Sequence, residues 1–221
     1  MTSSLPTLSE RRRQNRDAQE LRDRSVQQLM ARYDFSHTHA RQVSFLAGRL
    51  AEQLVCELLL GREDLDLLRY AALLHDIGWH YGQNKHHRNA YKLIKGGELP
   101  GFRSDEIERI ALIARYHRKA LPKLSHHAYA RLDPMARQTV MRLAGVLRVA
   151  DGLDRTHRSA VEDVIARVGS KGTNLIIRSR FEDIQPELRE AKRKKKLLEI
   201  VLAQPVSLRG EDTTRAAGSE P

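Results

Sequence analysis

The sequence is poor in cysteine and aromatic residues: among 221 residues there is one cysteine, Cys56, and only 5% are Phe, Trp or Tyr. A lone thiol excludes an intrachain disulfide and fits a reducing compartment. Set in the apolar stretch "LVCELLL", Cys56 reads as a core residue. Long apolar runs are missing too. That stretch covers only residues 54–60, against the roughly 20 residues a spanning helix needs, so no bilayer-crossing segment is predicted. The N-terminus, "MTSSLPTLSERRRQ", lacks an apolar stretch behind a basic start, which argues against a secretory signal and for a cytoplasmic protein. Acidic side chains are outnumbered, 28 against 39 Lys and Arg, for a net charge of +11. The excess lies in "RRRQNR" (11–16), "RYHRKALPK" (115–123) and "KRKKK" (192–196). Such runs suit polyanionic partners, with a solvated basic surface as the plain alternative. No aromatics interleave the two terminal runs, so they do not make a stacking platform for single-stranded nucleic acid.

With 40% apolar and 30% charged residues, the chain is globular, with one sizeable core. Its first part reads as helical. A charged helix over 14–33 carries a sparse stripe of Leu21, Val26, Leu29 and Met30. A second starts at the N-cap Ser36 and runs to Leu60, stopped by Gly61, with Val43, Leu46, Ala47, Leu50, Leu54 and Leu58 at steps of three and four. A third spans 63–76, a fourth 86–95, a fifth begins at Ser104, and a sixth opens with Asp133 and Pro134 and continues to about His157. The period then changes: strands are predicted at 161–168 and 174–181, a helix over 186–203, and a short strand at "PVSLRG". The expected organisation is a helical domain over 1–160 with a flexible first dozen residues, a small α+β unit over 161–209, and a disordered tail over 210–221.

Within the helical part, ionisable residues recur on apolar stripes. His39 precedes Val43 and Leu46 by four and seven residues, and His75 follows Ala72 by three. His117 follows Ile107, Ile110 and Ala114, and Asp151 follows Val140, Leu143 and Leu147. Buried imidazoles and carboxylates are costly unless paired or metal-bound. One of them alone would read as a satisfied core residue; four converging with the adjacent Asp76 point to a divalent metal with open water positions. His86 and His87, in "NKHHRNAY", can add ligands for a second ion with His117. Asp76 would then bridge two metals that clamp a phosphate. Arg118, Lys119 and Lys123 after His117, and Arg155 and Arg158 after Asp151, are candidate phosphate-binding cations. The remaining histidines lack this patterned setting.

The order His39, His75-Asp76, His86 or His87, His117 and Asp151 resembles the HD-domain metal-dependent phosphohydrolases. "YAALLHDIGWHYGQNKHHRNAYKLI", "IALIARYHRKALPK" and "LAGVLRVADGLDRTHRS" are similar to the C-terminal HD region of the Ppx/GppA (exopolyphosphatase and guanosine pentaphosphate phosphatase) family, over nearly the whole chain. The resemblance implies a mainly α fold, an HD-domain helical bundle with a small C-terminal α+β appendage. It implies His39, His75, Asp76 and Asp151 as ligands of a first metal, and His86 and His117 as ligands of a second, with His87 as the alternative to His86. The chain departs from the family in one respect: the N-terminal actin-like domains that carry its phosphatase chemistry, with their glycine-rich phosphate loops, have no counterpart in this sequence.

The function expected is therefore a metal-dependent phosphohydrolase in which water activated by one or two divalent ions (Mn, Fe, Co, Zn or Mg) attacks a phosphoanhydride or phosphomonoester, with Asp76 in the catalytic position. Its substrate would be a nucleotide, (p)ppGpp or polyphosphate. The alternative is a non-catalytic regulatory module binding polyphosphate or a nucleotide. A homodimer is a further expectation, and nucleic acid ranks behind the phosphate-rich small molecules; no membrane partner is expected.

Overall fold

The computed structural model describes residues 7–211. The elements are α1 (Leu8–Ala31), α2 (His37–Gln53), α3 (Arg62–Leu74), a 3-10 turn (Ile77–Tyr81), α4 (His86–Gly96), α5 (Ser104–Arg115), α6 (His127–Ala130), α7 (Pro134–Gly152), β1 (Val161–Gly169), β2 (Gly172–Ser179), α8 (Gln185–Lys194), α9 (Lys196–Leu202) and β3 (Val206–Gly210). The fold is mainly α with a small C-terminal α+β part, as the sequence pattern predicts. Among the described residues no helix is long and apolar enough to cross a membrane.

Local chemistry sets most boundaries. Thr7 accepts from the Glu10 backbone N–H while the Glu10 carboxylate reaches back to the Thr7 N–H at 2.7 Å. This capping box starts α1 at Leu8, ahead of the predicted 14 and inside the stretch expected to be flexible. The rest of that stretch, residues 1–6, and the predicted tail from 212 onward lie outside the described residues. Asp133 caps α7 by accepting from the Ala136 N–H at 2.9 Å, with Pro134 in the first turn.

Two core assignments need correction. The second helix stops at Gln53 rather than Leu60: the Leu60 N–H turns back to the Val55 carbonyl, and Leu59 takes a left-handed φ of 49°. Leu54 and Leu58 still point inward, but Cys56 is swung out and exposed. Leu21 on α1 is also exposed, at 41%. Its helix meets the core only through Val26, Leu29 and Met30. The predicted sixth helix ends at Gly152, and the predicted helix over 186–203 divides at Lys195 into α8 and α9.

The stripe of α2, Val43, Leu46, Ala47 and Leu50, is fully buried against α3 and α7. Truncating one of its leucines to alanine would cost about 2–5 kcal/mol. The sheet order is β1-β2-β3, with β1 and β2 antiparallel and β2 and β3 parallel. Side chains of α2 cover the outer edge of β1. Gln53 donates to the Val164 carbonyl (2.7 Å) and accepts from the Ala166 N–H (2.9 Å), and Gln42 donates to the Val161 carbonyl (2.6 Å). Arg49 clamps Asp163 with two hydrogen bonds of 2.9 and 3.2 Å. On the far side of the core, α8 and α9 pack on α7. Gly152 permits this approach: a Cβ there would lie 2.6 Å from the Ala191 Cα.

Candidate metal centre

Five segments deliver ionisable side chains to one buried point, and most do so from helix ends. His39 sits in the first turn of α2, whose N-cap Ser36 accepts from the His39 N–H. His75 is the C-cap of α3, Asp76 follows it, His86 opens α4, His117 lies just beyond α5, and Asp151 is in the last turn of α7. Gly78 shows why the chain turns where it does. A Cβ at that position would fall 2.0 Å from the His86 carbonyl oxygen and 2.6 Å from the Ala90 nitrogen. Only glycine lets α4 lie against the 3-10 turn and bring His86 over Asp76.

All six side chains are nearly excluded from solvent, from fully buried His75 to Asp151 at 8% exposure. Asp76 spans the group. Its Oδ2 faces His39 Nε2 (3.7 Å) and His75 Nε2 (3.6 Å), while its Oδ1 faces His86 Nε2 (3.2 Å) and His117 Nε2 (3.6 Å). Asp151 Oδ1 joins the first pair, 3.4 Å from His39 Nε2 and 3.7 Å from His75 Nε2. Two triads result, His39–His75–Asp76 and Asp76–His86–His117, with potential ligand atoms in each within 4.8 Å of one another.

The tautomers follow from the other ring nitrogens. His75, His86 and His117 each place Nδ1 on the carbonyl three residues earlier, at 2.7, 3.0 and 2.7 Å. A carbonyl only accepts, so each Nδ1 carries the hydrogen and each neutral ring turns its Nε2 lone pair into the centre. His39 Nδ1 meets the Asp154 carboxylate at 2.8 Å and carries a hydrogen too, so Nε2 is the nitrogen left for a metal once the ring is neutral. His39 Nε2, His75 Nε2 and Asp76 Oδ1 are buried without a hydrogen-bond partner, and His86 Nε2 faces His117 Nε2 at 3.4 Å. Facing lone pairs and a solvent-excluded carboxylate are unfavourable unless a cation stands among them. The mixed imidazole and carboxylate donors, each oriented by an outer hydrogen bond, fit a divalent transition metal.

Protonation follows the surroundings. Burial lowers the His117 pKa well below its ordinary value and also lowers that of His86, where the Arg118 charge adds to the effect. Burial opposes the charge on His39, yet the Asp151 carboxylate 3.4 Å from Nε2, the hydrogen bond to Asp154 and the charge of Asp76 outweigh it, raising the pKa to about 9. Asp151 is disfavoured as an anion by burial but is held well below the usual carboxylate range, chiefly by the Lys194 charge.

The centre opens into a cavity of about 190 Å³ that both Arg118 and Arg155 line. Arg118 Nη1 also donates to His86 Nε2 at 3.1 Å. The other candidate cations lie elsewhere. Lys119 is exposed on a neighbouring cavity, Lys123 is exposed, and Arg158 lies over the Phe181 ring. His87 is half-buried on a neighbouring cavity that Gln83 and Arg118 also line, outside both triads.

Several residues at the centre escape a sequence reading. Asp154 is fully buried, orients His39 and accepts from the Ser159 N–H at 2.8 Å. Its position three residues after Asp151, on the same helical face, was the available signal. Lys194, from the basic run read as suited to a polyanion or as solvated surface, donates to Asp151 and lines the cavity. His157 stacks on His39 (3.9 Å, 4°) and Trp79 on His86 (4.8 Å).

Comparison with known proteins places this geometry in context. The family model described as "Ppx/GppA phosphatase, domain III" matches residues 21–203. Among similar curated proteins are three bearing the name guanosine-5'-triphosphate,3'-diphosphate pyrophosphatase. That of Pseudoalteromonas translucida (strain TAC 125) is 29% identical over 105 residues, 47% of this chain and 21% of the relative. That of Aeromonas hydrophila is 29% identical over 136 residues, 58% of this chain and 26% of the relative. That of Vibrio cholerae is 28% identical over 148 residues, 66% of this chain and 29% of the relative. The chain thus spans between a fifth and three tenths of the length of these relatives.

Proposed function

Because the chain belongs to the Ppx/GppA phosphatase domain III family, we propose that it is a metal-dependent phosphohydrolase of the HD type, acting on a nucleotide phosphoanhydride. The observation that carries this reading is the pair of triads sharing Asp76, with orphaned acceptors turned toward one another. His39, His75, Asp76 and Asp151 would hold a first divalent ion, and Asp76, His86 and His117 a second. A divalent ion held there supplies Lewis acidity toward a phosphoryl oxygen and a water nucleophile at neutral pH.

The chain's own residues do the rest. Asp154 and the three i−3 carbonyls fix the imidazoles so that every Nε2 faces the substrate side. Asp76, one oxygen in each triad, keeps the two halves in register and is the residue on which catalysis depends most. Arg118 and Arg155 at the mouth would take phosphoryl oxygens as guanidinium hydrogen bonds, neutralising charge that develops there. Lys194 holds Asp151 ionised, and the buried walls keep bulk water away.

The test is phosphate release, followed by ³¹P NMR, from guanosine 5'-triphosphate 3'-diphosphate, pyrophosphate and tripolyphosphate with manganese- or cobalt-loaded protein. Turnover that disappears in His75→Ala supports the reading. Metal-loaded protein that hydrolyses none of these compounds overturns it.

A second reading, a non-catalytic module that binds a polyphosphorylated ligand, draws on one specific feature. Arg118 on His86 and Lys194 on Asp151 place fixed cations against the ligand set. In that case ligand affinity would survive both chelation and His75→Ala.

A further inference from the structure

Beside the metal centre, a second cavity of about 120 Å³ is lined by Arg118, Lys119, Arg148, Arg193 and Lys194. Five cations border it and no carboxylate does. Three of them, Arg118, Arg193 and Lys194, also border the metal-centre cavity, so the two spaces are neighbours across shared side chains. The volume is well above the roughly 10–15 Å³ that one water needs on the same measure, enough for one tetrahedral oxyanion.

Arg148 gives this cluster its significance. It lies in the C-terminal part of α7, four residues before Gly152, and is only 8% exposed. Nη1 donates to the Tyr116 carbonyl at 2.9 Å and Nη2 to the Lys119 carbonyl at 3.3 Å, which pins the loop carrying His117 and Arg118. Its Nε is buried with no partner, and among the described residues no carboxylate forms an ion pair with it. Elsewhere around the cavity the cations are compensated: Arg193 pairs with Glu190 and Lys194 with Asp151. A buried guanidinium with no carboxylate in contact is costly, and Asp151 and Glu190 act on Arg148 only from beyond ion-pair distance. Anchoring two carbonyls accounts for its hydrogen bonds but not for four further cations around the same space.

We infer that this cavity is an anion subsite that seats a second phosphoryl group of a ligand whose first phosphoryl group occupies the metal centre. The assignment rests on the phosphohydrolase reading for the placement of the first group, but the subsite itself consists of this chain's cations and needs no metal. Arg118, Arg193 and Lys194 border both seats, so one phosphoanhydride-linked pair can be gripped by a continuous cationic wall. Arg148 supplies fixed charge from below, and Lys119, on a left-handed backbone turn with φ 59°, supplies it from the rim.

The experiment is calorimetric titration of pyrophosphate, and separately of orthophosphate, into protein stripped of divalent ions by chelator and desalted. Three forms are compared: wild type, Lys119→Gln with Arg193→Gln, and Lys171→Gln with Lys92→Gln. The first pair of substitutions removes two charges from the cavity and leaves both carbonyl anchors of Arg148 intact. The second removes two exposed charges from elsewhere, so a mere drop in net charge affects both pairs equally. Pyrophosphate is expected to bind wild type more tightly than orthophosphate, and to bind the cavity variant roughly tenfold or more weakly, as loss of charge-assisted hydrogen bonds implies. The remote variant is expected to match wild type, and all three should unfold at the same urea midpoint. Equal weakening in both double variants, or no pyrophosphate binding to stripped wild type, overturns the subsite. Failure of the protein to hold metal, with pyrophosphate binding still lost only in the cavity variant, would overturn the phosphohydrolase reading and leave the subsite standing.

Discussion

Asp154→Asn changes one atom at the centre while preserving shape, and its consequence can be worked out from the hydrogen bonds. In the native chain Asp154 Oδ2 accepts from His39 Nδ1 at 2.8 Å and Oδ1 accepts from the Ser159 N–H at 2.8 Å. An asparagine keeps the second bond with its oxygen and turns an NH₂ donor toward His39. His39 Nδ1 must then accept, which puts the single hydrogen of the neutral, metal-competent ring on Nε2. That hydrogen points at Asp151 Oδ1 (3.4 Å) and Asp76 Oδ2 (3.7 Å), where a metal requires a lone pair. Loss of such an outer-sphere partner costs about 10–100-fold in metal affinity, or about 1.4–2.7 kcal/mol. At a metal concentration about 100 times the wild-type Kd, bound metal stabilises the wild type by about 2.7 kcal/mol; a hundredfold loss of affinity shrinks this to about 0.4 kcal/mol. Urea unfolding of both proteins, with and without manganese, measures the difference. A metal-dependent gain in Asp154→Asn equal to that of the wild type would refute the tautomer argument.

Three further outcomes are expected. His39 in the metal-free protein keeps its proton up to about pH 9 because Asp151, Asp154 and Asp76 outweigh the opposing effect of burial. Since only neutral imidazole ligates, metal affinity should rise with pH up to that value, and calorimetry at pH 7 in buffers of different ionisation enthalpy should count about one proton released per first metal bound; no release would contradict this. The folded pKa lies above the unfolded value of about 6.5, so stability from this group is present below pH 6.5 and lost as pH rises through 9 in the metal-free protein. Gly78→Ala places a Cβ 2.0 Å from the His86 carbonyl oxygen, a backbone atom that cannot yield without moving α4; a loss of about 3 kcal/mol or more is expected in urea unfolding, and an unchanged midpoint would refute the close approach. Cys56 is exposed, so it should react with an aromatic disulfide reagent in the native protein as fast as in denaturant; a protected thiol would restore the core assignment.

The helical stripes and the capping residues were legible because each is local. Ser36, Asp133 and the alternation of Val43, Leu46 and Leu50 act over a few residues, and the structure keeps them. The histidine ladder was legible for a related reason: a titratable residue in phase with an apolar stripe has to face the core. What failed involved chain reversal or packing at a distance. Cys56 reads as core from its apolar neighbours, yet two residues from both Leu54 and Leu58 it lies about 200° from the α2 stripe in helical phase, and no glycine or proline marks the helix end at Gln53. Lys194 sits in a run of like charges that reads as a polyanion-binding or solvated stretch, and the close contact of Gly152 with Ala191 brings it onto Asp151. Lys123 and Arg158 follow candidate ligands in sequence, yet the turns after His117 and Asp151 carry them away from the cavity. Sequence proximity to a ligand is a weak guide in such turns, whereas helical phase is a strong one.

The central claim is that Asp76 holds both halves of a metal site. It is tested most directly by reconstituting wild-type protein and Asp76→Ala with manganese, desalting both, and counting metal per chain by mass spectrometry, with circular dichroism to show that both are folded. Wild type is expected to retain one or two ions per chain and folded Asp76→Ala to retain none. Equal metal content in the two folded proteins would contradict the claim.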